Sequence, residues 1–123
     1  MNRRAATHDA GRGGENLAAW ALRLKGYRIL ARNFRAGPGE VDIVARAPGF
    51  GPIPVLAFVE VKFRPDTAAA AEAISADKRR RVIRAAEGFV AARPRYANAV
   101  LRFDAMLVAP GRWPRHVPDA WQA

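Results

Sequence analysis

The 123 residues predict an α/β domain, a mixed central sheet flanked by helices in the order α-β-β-β-α-β. Three observations carry that reading. Two stretches keep apolar residues at helical spacing, four others alternate with a period of two or run apolar over strand length, and glycine–proline punctuation falls between these stretches. Half of the residues are hydrophobic, enough to bury one core, so residues 1–123 read as a single domain with residues 1–12 flexible and residues 109–123 a Pro-rich tail.

The first helix is expected over residues 14–25, where Leu17, Trp20, Ala21 and Leu24 share a face and Gly26 is a stop; Trp20 is read as core. Residues 27–35 form a strand with one polar face, and Ala36-Gly37-Pro38-Gly39 reverses the chain. Residues 40–45 and 55–63 are the second and third strands, an antiparallel pair joined by a loop over residues 46–54 rich in glycine and proline. Residues 68–74 make a short alanine-rich helix or an irregular arm. Ser75 then caps a longer helix ending near Arg93-Pro94, with Val82, Ile83, Ala86, Phe89 and Val90 on its apolar face. Residues 99–108 are the last strand, entered by a right-handed crossover from the third. In the tail, Trp113 and Trp121 read as cover for a sheet edge, and His116, with no visible partner, as structural.

Composition removes several chemistries. The chain has no cysteine, hence no disulfide, thiolate metal site or cysteine nucleophile, and this fits a reducing, cytoplasmic setting. With only two histidines, His8 and His116, a metal would be a hard cation held by oxygens. The N-terminal stretch lacks the apolar segment of a secretory signal, and the longest uncharged run, residues 47–59, is broken by prolines and glycines, so no membrane partner is expected. The net charge of +10 favours a polyanion, nucleic acid first.

Two strands carry acids where apolar residues would ordinarily alternate. In Phe58-Val59-Glu60-Val61-Lys62 the period of two sets Glu60 and Lys62 on one face and Val59 and Val61 on the other. The same alternation in Gly39-Glu40-Val41-Asp42-Ile43-Val44 puts Glu40 and Asp42 together, with Val41 and Ile43 opposite. If the strands are neighbours, Asp42 and Glu60 converge within reach of one Mg²⁺ or Mn²⁺, with Lys62 one step along. That set suits phosphodiester cleavage: a cation offsets the phosphate charge, and a lysine orients or deprotonates water. Arginine cannot deprotonate water at neutral pH, and in a chain that spends only Lys25, Lys62 and Lys78 among its 21 basic residues, the choice of lysine at 62 points to chemistry. The plain alternative is a cross-strand ion pair on a solvated face.

At this point the residues resemble the YraN-like uncharacterised family of small bacterial proteins. The resemblance covers roughly residues 11–121 and rests on Gly14-Glu15-Asn16-Leu17-Ala18, Gly26-Tyr27-Arg28-Ile29-Leu30, Asn33-Phe34-Arg35, the two acidic strands through Arg64, the basic helix from Lys78 to Ala86, and Arg102-Phe103-Asp104. That family is similar to archaeal Holliday-junction resolvases and to the restriction-endonuclease-like fold. The resemblance implies metal ligands at Asp42 and Glu60, a catalytic lysine at Lys62, and Glu15 completing the site, in a Mg²⁺-dependent nuclease acting on DNA, branched DNA included, as a homodimer. Glu15 reads equally as a first-turn stabiliser, and Glu40 as a site-edge or structural acid. Arg35, Arg64, Lys78, Arg80, Arg81 and Arg84 are the candidate phosphate contacts, and Arg32 lies near the same cluster. A nucleic-acid-binding module without turnover, or a protein-binding adaptor, fits the charge as well.

Overall fold

The computed structural model describes residues 3–63 and 74–123, without the side chains of 3–12. The order is α1 (Arg3–Leu24), β1 (Arg28–Ala36), β2 (Gly39–Arg46), β3 (Val55–Phe63), α2 (Ala76–Ala91), a 3₁₀ turn (Pro94–Tyr96), β4 (Val100–Val108) and β5 (Arg115–Trp121). The strands form one open sheet in the order β1-β2-β3-β4-β5, antiparallel except for the β3–β4 pair, which is parallel and bridged by α2. The mixed α/β architecture and its element order therefore stand. The tail adds a fifth strand, which Pro118 and a thin apolar content conceal in the sequence; proline is tolerated there because β5 is an edge. The expected arm at residues 68–74 lies, but for Ile74, outside what is described, as do residues 1–2; residues 3–12, expected to be flexible, belong to α1. Among the described residues no helix is long and apolar enough to cross a membrane.

Each helix covers one face of the sheet. Val82, Ala85, Ala86 and Phe89 of α2 pack on Val41, Val44, Leu56, Phe58 and Phe103, and on the other face Ala18, Ala19, Ala21 and Leu22 of α1 pack on Ile43, Ala45, Ala57, Val59 and Met106. Helix α1 is longer than expected and rotated relative to the reading above. Trp20 is 58% exposed and Leu24 73%, because alanines supply the buried stripe and let the helix lie close to the sheet; Trp20 instead carries the Arg23 guanidinium 5.3 Å from its ring centre. Trp121 is buried and stacked on Phe103 at 5.7 Å, covering the sheet as expected, whereas Trp113 is exposed.

Two close approaches set the helices over the site to come. A Cβ on Gly39 would lie 2.4 Å from the Ala85 backbone nitrogen, so the β1–β2 hairpin and α2 touch main chain to main chain and no side chain fits between them. A Cβ on Gly14 would fall inside the Phe63 ring, at 1.9 Å, which holds the start of the α1 stripe against the end of β3. Ser75, extended at φ −64° and ψ 158°, caps α2 by accepting from the Lys78 amide, and Asp77 adds a first-turn acid. Lys78 is thereby fixed in the first turn, on the side that faces the sheet.

Candidate functional site

The β2–β3 ladder runs from Arg46↔Leu56 to Ile43↔Val59 and stops there, one pair short of Asp42 and Glu60. Beyond that point the Asp42 side chain replaces the missing rung: its Oδ2 accepts from the Val61 amide at 2.8 Å. The strict alternation expected for β2 fails at this residue. Val41 and Val44 bury under α2 but Ile43 buries under α1, so Val41 and Ile43 face opposite sides of the sheet. Across from Asp42 on β1, between the paired Arg32 and Phe34, Asn33 takes φ +49°, a left-handed conformation that asparagine tolerates well. The irregular backbone frees Asp42 to reach toward β3.

Glu60 alternates with Val59 and Val61, which pack on the α1 side, so its carboxyl points toward α2. It is 2% exposed. Lys78 Nζ donates to Glu40 Oε1 at 2.8 Å and stands 3.2 Å from Glu60 Oε2. The second contact is electrostatic rather than an aligned hydrogen bond, and both Glu60 oxygens lack a hydrogen-bond partner among the described residues. A buried carboxylate without donors is costly unless a proton or a cation meets it. Burial, and then the neighbouring Asp42 carboxyl, push Glu60 up to about 9, with Lys78 offsetting only part of this. Glu40 moves the other way, held below its usual range first by its hydrogen bond from Lys78. For Lys78, burial pulls downward, but Glu40 and Glu60 outweigh it and the ammonium titrates above its ordinary value.

These groups open into a cleft of about 570 Å³, whose walls include Glu15, Asp42, Glu60, Lys62, Ser75, Lys78 and Arg81. Asp42, Glu60 and Lys62 are thus brought to one concavity, and Lys62 is exposed at its mouth. Glu15 of α1 also lines it, 4.0 Å from the Arg32 guanidinium. No group of three or more His, Asp or Glu residues gathers at metal-binding spacing among the described residues, so the arrangement is a two-carboxylate one. The donor set fits a hard divalent cation: neither buried Glu60 oxygen has a hydrogen-bond partner among the described residues, and Asp42 uses Oδ2 on Val61 and keeps Oδ1.

The basic residues divide. Arg81 contacts Asp77 at 2.9 Å and Glu40 at 3.5 Å, Arg80 contacts Asp77 at 3.5 Å, and Arg35 lies 3.8 Å from Glu40 with most of its side chain in solvent. Arg84 is exposed on α2, and Arg64 lies outside the described residues. Lys78 is the residue whose placement the chain alone did not disclose. Helical spacing set it with Arg81 on a flank, but only the hairpin–α2 contact brings it between two acids.

On the opposite face of the sheet, on β4 beside Val59, stands a second buried acid, Asp104, 0% exposed. Arg102 donates to it from Nε at 2.9 Å and Nη2 at 2.7 Å, the Asp119 amide donates at 2.9 Å, and His116 Nε2 lies 2.8 Å away. Lys25 Nζ lies 2.5 Å from His116 Nδ1; an ammonium only donates, so Nδ1 accepts and Nε2–H donates to Asp104. His116 is structural, as read, and its partners are now visible. Arg102 also donates to the Tyr27 hydroxyl at 2.6 Å, which ties the end of α1 to β4 and β5.

The sequence profile of "Uncharacterised protein family UPF0102" matches residues 14–108. The chain belongs to that family. A UPF0102 protein of Methylorubrum extorquens (strain PA1) is 52% identical over 98% of this chain and 90% of its own length. One of Methylobacterium nodulans is 53% identical over 97% and 88%, and one of Rhodopseudomonas palustris (strain BisB5) 47% over 98% and 88%. The UPF0102 match spans the whole described sheet through β4, with Glu15, Asp42, Glu60, Lys62 and Lys78 inside it.

Proposed function

We propose that this protein is a Mg²⁺- or Mn²⁺-dependent nuclease that hydrolyses phosphodiester bonds in DNA, branched DNA included, and that it works as a homodimer with one centre per strand cut. The observation that carries the reading is Glu60, a buried carboxyl beside Asp42 in an open cleft, neither of whose oxygens has a hydrogen-bond partner among the described residues. The resemblance of the two acidic strands to resolvases of the restriction-endonuclease-like fold supports it, as does the net charge of +10.

Asp42 Oδ1 and the Glu60 oxygens would hold the cation, which when bound supplies Lewis acidity at the phosphate and acidifies water. The rest falls to the chain. The Val61 amide fixes Asp42 by binding its other oxygen, so the carboxylate does not have to be ordered on loading. Lys62, on the Glu60 face of β3 and exposed to the cleft, orients the attacking water, takes its proton or offsets charge on the phosphate. Arg81 and Arg84 on α2 and Arg35 on the hairpin steer the polyanion toward the cleft.

The test is cleavage of branched, duplex and single-stranded DNA with Mg²⁺, with Mn²⁺ and with chelator. Metal-dependent cutting that Lys62→Ala slows about a hundredfold or more, with DNA affinity held within severalfold, is the expected result. Salt-sensitive binding with no cutting under any metal would reduce the protein to a binding module; log affinity would then fall with log salt by about 0.9 per phosphate neutralised on duplex DNA. No DNA binding at low salt would leave only a protein-binding adaptor.

A further inference from the structure

The placement of Lys78 has a consequence beyond phosphate contact. Its ammonium, in the wall of the cleft, lies 2.8 Å from Glu40 and 3.2 Å from Glu60, whose buried oxygens have no hydrogen-bond partner among the described residues. A divalent cation on Glu60 would have a positive charge within a few ångströms, and like charges at that range repel strongly in a partly buried site. The helix does not retreat to relieve this, since Val82, Ala85, Ala86 and Phe89 hold it in the core. The side chain can swing: four carbons separate the ammonium from the main chain, and its hydrogen bond to Glu40 can keep it anchored when it leaves Glu60. Glu40 is not left to Lys78 alone, because Arg81 lies 3.5 Å and Arg35 3.8 Å from it.

We infer that Lys78 is a built-in cation, anchored by Glu40 as its counter-ion, that occupies the position against Glu60 while no metal is present and must leave Glu60 for a divalent cation to bind, freeing its ammonium for the substrate phosphate. It is a positioning residue that raises the cation concentration the site requires. The inference rests on the reading of Asp42 and Glu60 as metal ligands.

Mn²⁺ binding, followed by electron paramagnetic resonance of free Mn²⁺ with no DNA present, tests it without any activity readout. Lys78→Met and Lys78→Gln are expected to bind Mn²⁺ about tenfold more tightly than the wild type, and Lys78→Arg, which keeps the charge, within about twofold of it. Far-ultraviolet dichroism and thermal melting establish that each variant is folded, and the neutral glutamine, able to hydrogen-bond Glu40, is the second route should methionine disturb α2. If Lys78→Met and Lys78→Gln bind Mn²⁺ no better than the wild type while Asp42→Asn and Glu60→Gln have lost it, the built-in cation role is wrong and the metal centre stands. If Asp42→Asn and Glu60→Gln bind as the wild type does, both are wrong.

Discussion

Glu60→Gln is expected to make the metal-free protein more stable at pH 8, by on the order of 2–4 kcal/mol, and to leave it unchanged near pH 4. The sign follows from the raised carboxyl. Below the unfolded value of 4.5, both states hold the proton and burial costs little. Between 4.5 and about 9, the folded protein keeps a proton that the unfolded chain has released, so stability falls as pH rises, levelling only above the folded value. Glutamine carries no charge to bury, and its amide can donate to Asp42, so the variant lacks this slope. Urea midpoints at pH 4, 6 and 8 in chelator show it directly; parallel wild-type and variant curves would mean that Glu60 is solvated or paired. A carboxyl whose removal stabilises the fold is held there for something other than folding, and this links the energetics to the proposed cation.

Asp104→Ala is expected to destabilise the protein by about 3–5 kcal/mol at neutral pH, the usual cost of deleting one partner of a buried charged network. The loss strands the Arg102 guanidinium, the His116 Nε2–H and the Asp119 amide together. Asp119 sits at φ +53°, and the bond from its amide to Asp104 Oδ1 is what holds that turn, so β5 should detach first. Burial opposes ionisation of Asp104, but Arg102, His116 and the Asp119 amide outweigh it and hold the carboxyl below its usual range. Its stabilisation is therefore complete above the unfolded value of 3.8 and is lost as pH falls through the folded value. The gap between wild type and variant should narrow in strong acid. A urea midpoint shifted by less than about 1 kcal/mol at pH 7 would contradict this account of the network. Unlike Glu60, Asp104 is fully satisfied, and so it reads as structural.

Much of this was legible in the chain because it is written in short-range pattern. The strands over residues 40–45 and 55–63, the turn at Gly37-Pro38 and the Ser75 cap each depend on a few neighbouring residues, and each appears within a residue or so of its expected place. What escaped depends on contacts distant in sequence. Alanine carries the buried face of α1, and alanine has little hydrophobic signal, so Trp20 and Leu24 drew the stripe to the wrong side. The strand β5 owes its existence to Asp104, Phe103 and the edge it completes, none of which shows in Arg115-His116-Val117-Pro118. In the cleft, alternation correctly put Glu60 opposite Val59 and Val61, but it missed the break at Asp42, where Asn33 and the end of the ladder decide the geometry. Lys78 was read from its helix as a phosphate contact; its contact with Glu60 depends on the close approach at Gly39 that brings α2 onto the hairpin.

The central claim is that Asp42 and Glu60 share one divalent cation. Anomalous diffraction from crystals equilibrated with Mn²⁺ addresses it most directly. The account predicts a single strong peak between Asp42 Oδ1 and the Glu60 carboxylate, at about 2.0–2.3 Å from each, with Lys78 turned away from Glu60. Crystals saturated with Mn²⁺ that show no peak there, with Lys78 still seated against Glu60, would contradict it.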